Sequence, residues 1–323
     1  MQEASFEGAE TISGEIFADK YLIRRVSCAG CPIGCVHIAM LKRQFSKAHE
    51  YETLNISYDF ELIYALGSNL GVADPEAVLE LIDACEKAGV DIISMGVVLA
   101  WATEMQQRGK ISTEETMGLK LSWGDKAAYL RAIELVVQAP NEFYKALGKG
   151  VDYASKKYGG EDFAIRLGGL EIPGYHTGLG NVLGLSVGAR HSHLDNAGYA
   201  ADQAAFNRPL SDEQIVEYVI DEEDRRNILN CMVSCLFARN VYTYENIILA
   251  LKSIGIERTE EELKELGKDI FRKKIRTEKR NSVLSLKTLP SRKGFLKQPL
   301  LQGSLKKKES EKRSKCTEKK RGV

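Results

Sequence analysis

The chain has 323 residues, of which 44% are hydrophobic, and its 45 Lys+Arg balance 45 Asp+Glu, so it is long enough for two domains with substantial cores. No run approaches the roughly 18 to 20 apolar residues a membrane helix needs; the longest, residues 92–102, contains Ser94 and Gly96, which excludes a membrane-spanning helix. The neutral total hides an asymmetry: residues 281–323 carry 13 Lys/Arg against three Asp/Glu, leaving the body acidic by ten charges and without the basic clusters that nucleic-acid phosphates require.

Residues 1–8 lack the basic and apolar regions of a secretory signal, so the expected compartment is the cytoplasm. Asp74-Pro75-Glu76 places a cap, a first-turn proline and an acid in order. Val78, Leu81, Ile82 and Cys85 follow at helical spacing before Gly89, which predicts an amphipathic helix. A second apolar helix is predicted over 92–107, stopping at Gly109, with others over 125–137 and 141–157 on either side of Pro140. The Gly-rich stretch 167–198, with three of the five histidines, reads as loop and turn. Capping boxes at Ser211/Gln214 and Thr259/Glu262 open two further helices, the first extending as far as Arg239. Alternating strands are scarce, so the expected class is mainly α: one helical domain over 1–160, a second over 161–280, and a low-complexity, disordered tail over 281–323.

Cys28, Cys31 and Cys35 form a C-x2-C-x3-C cluster with Gly30, Pro32 and Gly34 between the thiols. Such spacing lets one short loop wrap three thiolates round an inorganic centre. A [4Fe–4S] cluster needs a fourth thiolate, for which Cys235 and Cys231 are the candidates. A structural zinc site is the plainer alternative, although zinc more often shows paired knuckles or matched histidines. The spacing is also the reverse of the radical-SAM order. The odd count of seven cysteines argues against a disulfide framework; Cys85 falls on a buried helical stripe, and Cys316 lies in the tail.

Taken together, Arg24-Arg25-Val26-Ser27-Cys28, the rest of the cysteine loop, the later segment Cys235 to Arg239 and the Gly-rich stretch between them resemble the tungsten-containing aldehyde ferredoxin oxidoreductase family over residues 1 to about 280. The resemblance implies that Cys28, Cys31, Cys35 and Cys235 hold a [4Fe–4S] cluster beside a tungsten (or molybdenum) bis-molybdopterin. The family's pterin motifs, D-x-x-G-L-D and D-x-x-G-L-C, are matched by Glu86, Gly89 and Asp91, and by Asn230, Ser234 and Cys235 with Val233 in the glycine position. For Glu86 an exposed helix face is an equal alternative. Alignment on Ala65 to Asn69 puts Glu61 where the family has its active-site acid, while Glu52 in Glu50-Tyr51-Glu52-Thr53 is a misplaced look-alike. His193, before Leu194, matches the active-site histidine, with His191 and His176 as second choices.

The implied activity is oxidation of an aldehyde to a carboxylic acid, with His193 donating to the aldehyde oxygen, Glu61 accepting a proton and ferredoxin receiving the electrons. The family's N-terminal, mainly β domain has no counterpart in this sequence, so the resemblance implies a separately encoded β domain as partner. Neither a nucleic acid nor a membrane is an expected partner, and a homo-oligomer is left open. The change of composition after Arg280 is what a frameshift would produce. Two other readings remain: a non-catalytic iron–sulfur electron-transfer or assembly subunit, and a tungsten subunit that reduces aromatic thioesters.

Overall fold

The computed structural model describes residues 6–48 and 50–280, so the expected tail and Cys316 lie outside the described residues. After α1 (Gly14–Lys20) the chain forms a three-stranded antiparallel sheet in the order β1 (Leu22–Val26), β2 (Val36–Gln44), β3 (Tyr51–Tyr58). The described chain is mainly α, as expected, and strands are few; this sheet is the largest group of them. Its period-2 pattern is present, with Ala39, Leu41, Ile56 and Tyr58 buried and Lys42, Thr53 and Asn55 exposed. Much of β2 is His, Ala, Met, Lys and Arg, residues without strand preference, so cross-strand pairing and burial of one face decide the conformation.

Asp59 ends the sheet and caps α2 (Phe60–Leu66), accepting from Leu62 N at 3.2 Å. Next come α3 (Pro75–Ala88), capped by Asp74 and closed by left-handed Gly89, and α4 (Ile92–Gln107), capped by Asp91. α4 is apolar nearly all round and lies in the middle of the main core. It touches α2 backbone to backbone at Gly96, where a Cβ would stand 2.2 Å from Ala65 O. Asn69 Nδ2 donates to Gly96 O at 3.1 Å across the same contact. No single helix among the described residues is long and apolar enough to cross a membrane; α3 and α4 pass that test only as a pair, bent by 113°.

The helix predicted over 141–157 is two, α6 (Glu142–Leu147) and α7 (Val151–Tyr158), following α5 (Lys126–Gln138). The break falls at Gly148–Gly150, where Gly150 has φ +89° and Glu171 caps α7 by accepting from Val151 N at 2.8 Å. After the short hairpin β4 (Arg166–Leu167) and β5 (Leu170–Glu171), the stretch expected as loop contains α8 (Leu179–Val187) and α9 (His193–Asn196) and leads into α10 (Gly198–Asn207). Its glycines serve packing: a Cβ on Gly198 would stand 2.1 Å from Gly180 O, so α8 and α10 cross in direct backbone contact. Asp202 supplies the cap that Gly178 lacks, accepting from Gly180 N and Asn181 N at 2.8 Å each.

Ser211 and Gln214 form the predicted capping box of α11 (Asp212–Cys231), which ends eight residues short of Arg239. α12 (Tyr244–Ser253) and α13 (Glu260–Arg280) complete the described chain, and Thr259 and Glu262 exchange the hydrogen bonds of the second box. Ile228, Leu229, Ile247 and Leu263 form a small core of their own, apart from the main one between Ile12 and Ala154.

Candidate functional site

The end of the sheet where β1 stops, β2 starts and β3 stops gathers two groups of functional residues. Val26 pairs with Val36 and His37 with Tyr58, so the connection 27–35, with Cys28, Cys31 and Cys35, emerges beside the junction that leads through Asp59 into Glu61.

Glu61 lies in the first turn of α2, and His193 opens α9. Their side chains meet with His193 Nε2 3.4 Å from Glu61 Oε1, at 12% and 21% exposure. Tyr175 completes the group by donating its hydroxyl to Glu61 Oε1 at 2.5 Å. Its ring stacks on Tyr199 at 4.6 Å and packs against His193 at 4.8 Å and Phe60 at 5.0 Å. Burial pushes the Glu61 carboxyl up, yet the bonds from His193, Tyr175 and its own backbone outweigh this and hold it at about 2. The same contact works in reverse on Tyr175, whose hydroxyl is raised by burial and by the Glu61 charge.

The support behind this group is buried and polar. Arg226, 2% exposed, donates to Glu222 and to the carbonyls of His193 and Leu194 at 3.1 and 3.0 Å, fixing the start of α9 from behind. Asn181 Nδ2 holds the carbonyl of Tyr175. The two second-choice histidines are engaged elsewhere: His176 Nε2 bonds Tyr64 Oη at 2.9 Å, with burial lowering its pKa, while His191 is buried with Nδ1 2.7 Å from Leu185 O. Glu52 sits in β3 and pairs with Arg43 at 2.6 Å, away from the histidine.

Cys28, Cys231 and Cys235 are exposed, and Cys31 and Cys35 partly so. Cys31 N donates to Cys28 O at 3.0 Å, and Gly30 and Gly34 have φ of +73° and +64°, so the loop turns tightly between its thiols. Among the described residues no three Cys, His, Asp or Glu side chains converge as around a bound metal. The loop has the donor chemistry an iron–sulfur cluster takes, three reachable thiols between glycine hinges, and Cys235 is a further free thiol on the segment after α11.

A family model described as aldehyde ferredoxin oxidoreductase, domains 2 and 3, matches residues 1–319. The chain belongs to this family. The match passes Arg280, where the resemblance was expected to stop, and takes in most of the basic tail. The tungsten-containing aldehyde ferredoxin oxidoreductase of Thermococcus kodakarensis is 27% identical over 94% of this chain and 50% of that protein. A WOR-like subunit of an aliphatic sulfonate oxidoreductase from Pyrococcus furiosus is 32% identical over 51% of this chain and 24% of that protein. The chain spans about half the length of the tungsten aldehyde ferredoxin oxidoreductases it matches. By structure it resembles the active-site complex BamBC of benzoyl coenzyme A reductase, with a TM-score of 0.58 and 18% identity over 81% of this chain and 45% of that one.

Within this aldehyde ferredoxin oxidoreductase fold, the two stretches matched to the pterin motifs share one backbone form. At the end of α3, Val90 N bonds Cys85 O and Gly89 N bonds Glu86 O. At the end of α11, Ser234 N bonds Leu229 O and Val233 N bonds Asn230 O. Each is a Schellman turn, with Gly89 at φ +68° and Val233 at φ +56° in the left-handed position. Glu86, Gly89 and Asn230 are exposed, and Asp91 caps α4 by accepting from Ser94 N at 2.8 Å. Ser234 is half-buried beside exposed Cys235.

Tyr175, Tyr199, Phe60 and Arg226 were not identified from the sequence. The only local signal for Tyr175 is its place in a Pro-Gly-Tyr-His-Thr-Gly run, which marks a turn and not a partner for Glu61.

Proposed function

We propose that the chain belongs to an oxidoreductase that converts aldehydes to carboxylic acids at a tungstopterin (or molybdopterin) centre and passes the electrons through a [4Fe–4S] cluster to ferredoxin. The meeting of Glu61, His193 and Tyr175 on one carboxylate oxygen carries the reading. Cys28, Cys31, Cys35 and Cys235 would hold the cluster, and Glu86, Gly89, Asp91, Asn230 and Ser234 would face the pterin edges. When bound, the metal and the cluster supply Lewis acidity and the capacity to accept two electrons and release them singly.

The chain's own residues handle binding and the proton. In this reading His193 Nε2–H donates to the aldehyde oxygen, and Glu61 takes the proton lost as the hydrated carbonyl is oxidised. A carboxylate held at about 2 is a weak base, but the bonds that depress it come from His193 and Tyr175, the donors an aldehyde oxygen would compete for. Once they turn to the substrate, the backbone bond is left as the main opponent of burial, and the basicity of Glu61 rises where the proton must go.

The test is anaerobic purification with iron, sulfide and tungsten analysis and EPR of the dithionite-reduced protein. A four-iron signal lost in Cys235→Ala, together with tungsten, supports the reading. A cluster without tungsten leaves an electron-transfer subunit, and zinc alone overturns both.

A further inference from the structure

The body of the chain is acidic by ten charges, yet residues 20–48 contain six Lys/Arg and no Asp or Glu. The structure lays this stretch out as the last residue of α1, then β1, the cysteine loop, β2 and the start of the next turn. Lys20, Arg24, Arg25, Lys42, Arg43 and Lys47 are all exposed, and among the described residues only Arg43 forms an ion pair, with Glu52. Arg25 lies against the cysteine loop, its Cβ 3.8 Å from where a side chain on Gly34 would begin. Between the cations Ile23, Ile33 and Met40 stand 50%, 42% and 43% exposed.

Like charges gathered on one ribbon repel, and among the described residues only the Arg43–Glu52 pair and the stacking of Lys42 over Tyr51 offset part of that cost. Protection of a sheet edge explains cations on β1, which is an edge strand, but not Lys42 and Arg43 on the central strand β2. We infer that this basic, partly apolar hairpin is the docking surface for a small acidic electron-carrier protein. The inference rests on the reading of the cysteine loop as an electron-carrying site. A nucleic acid fits less well, because a long polyanion would also meet the acidic body, whereas a small carrier covers the hairpin alone. Electron-transfer encounters are characteristically small, below about 1,200 Å², and charge complementarity acts mainly on their association rate.

The experiment measures binding of the anaerobically reconstituted full chain to a small acidic bacterial ferredoxin by surface plasmon resonance, at about 0.02 M and about 0.2 M salt. Basic cytochrome c and an oligouridylate serve as counter-probes, and iron content is read on the same samples. Ferredoxin binding is expected to weaken with salt, to fall about tenfold or more in Arg24→Glu/Arg25→Glu and by less in Lys42→Glu. In Lys149→Glu, at an exposed lysine between α6 and α7, it is expected to stay unchanged. Unchanged binding in the double variant, at wild-type circular dichroism, overturns the inference, as does tighter binding of cytochrome c or oligouridylate. If the cluster forms and charge reversal has no effect, the docking surface fails while the redox reading stands. If charge-dependent ferredoxin binding persists without a cluster, the docking surface stands and the redox reading fails.

Discussion

Glu61 stays ionised in a place that by burial alone would favour its neutral form, so the cost of burying that charge is met by His193 and Tyr175. Its pKa falls from 4.5 to about 2 on folding, so the stabilisation is complete above pH 4.5 and is lost as pH falls towards 2. At about 1.4 kcal/mol per pH unit this amounts to about 3 kcal/mol at most. Glu61→Gln is therefore expected to be less stable than wild type at pH 7 in urea unfolding, with the gap narrowing steadily towards pH 3. Glu223 shows the opposite sign. Burial, then the charge of Asp195, push its carboxyl up to about 7 against the pull of Lys274, and its Oε1 has no partner among the described residues. The folded chain holds a proton there that the unfolded chain gives up near pH 4.5, so stability falls as pH rises from 4.5 through 7. Glu223→Gln is expected to match wild type at pH 5 and to exceed it by about 1 to 3 kcal/mol at pH 8.

Among the elements, the paired Schellman turns give a direct comparison. Gly89 meets the left-handed requirement freely, whereas Val233 meets it with a β-branched side chain that is 93% exposed and gains nothing in packing. The left-handed conformation costs a non-glycine residue about 1 to 2 kcal/mol, part of which glycine returns as chain entropy. Val233→Gly is expected to raise the melting temperature by about 2 to 4 °C in calorimetry, and Gly89→Val to lower it. Elements whose signals are local were legible in the sequence. Asp74-Pro75 and Gly89 bound α3, Asp91 and Gly109 bracket α4, and Ser211 with Gln214 opens α11. Elements made by distant contacts were not. Gly180 and Gly198 read as loop because only the crossing of α8 and α10 explains them, and β2, which mixes His37, Lys42 and Arg43 with apolar residues, becomes a strand only once β1 and β3 lie beside it.

At the scale of the whole molecule, the position of α2 depends on the core beneath it. A methyl group on Gly96 would meet backbone atoms of Ala65 at 2.2 and 2.6 Å, which no side-chain rotation can relieve. Gly96→Ala is expected to cost about 3 kcal/mol or more and to lower the melting temperature by on the order of 10 °C. Because α2 carries Glu61, the variant also loosens the bond to Tyr175, which ultraviolet resonance Raman of the tyrosine would detect as a weaker donor. The site was legible to the same partial degree as the fold. Glu61 and His193 could be placed by their matches to family motifs, and the structure brings them together. Tyr175 and Arg226 could not, since their roles come from where the chain returns in space: one as a lone tyrosine in a glycine-rich turn, the other as one of two adjacent arginines on a charged helix.

The cysteine loop and Glu61 are joined by two strands paired residue by residue, from Val36 opposite Val26 to Tyr58 opposite His37. That ladder works as a gauge. A slip or insertion of one residue in β2 would move the thiols about 3.3 Å along the sheet relative to Glu61 and turn every β2 side chain to the opposite face. The spacing between the cysteine loop and Glu61 is thus written in strand register, and changes of length belong in the turn between β2 and β3, where the gauge has no markings.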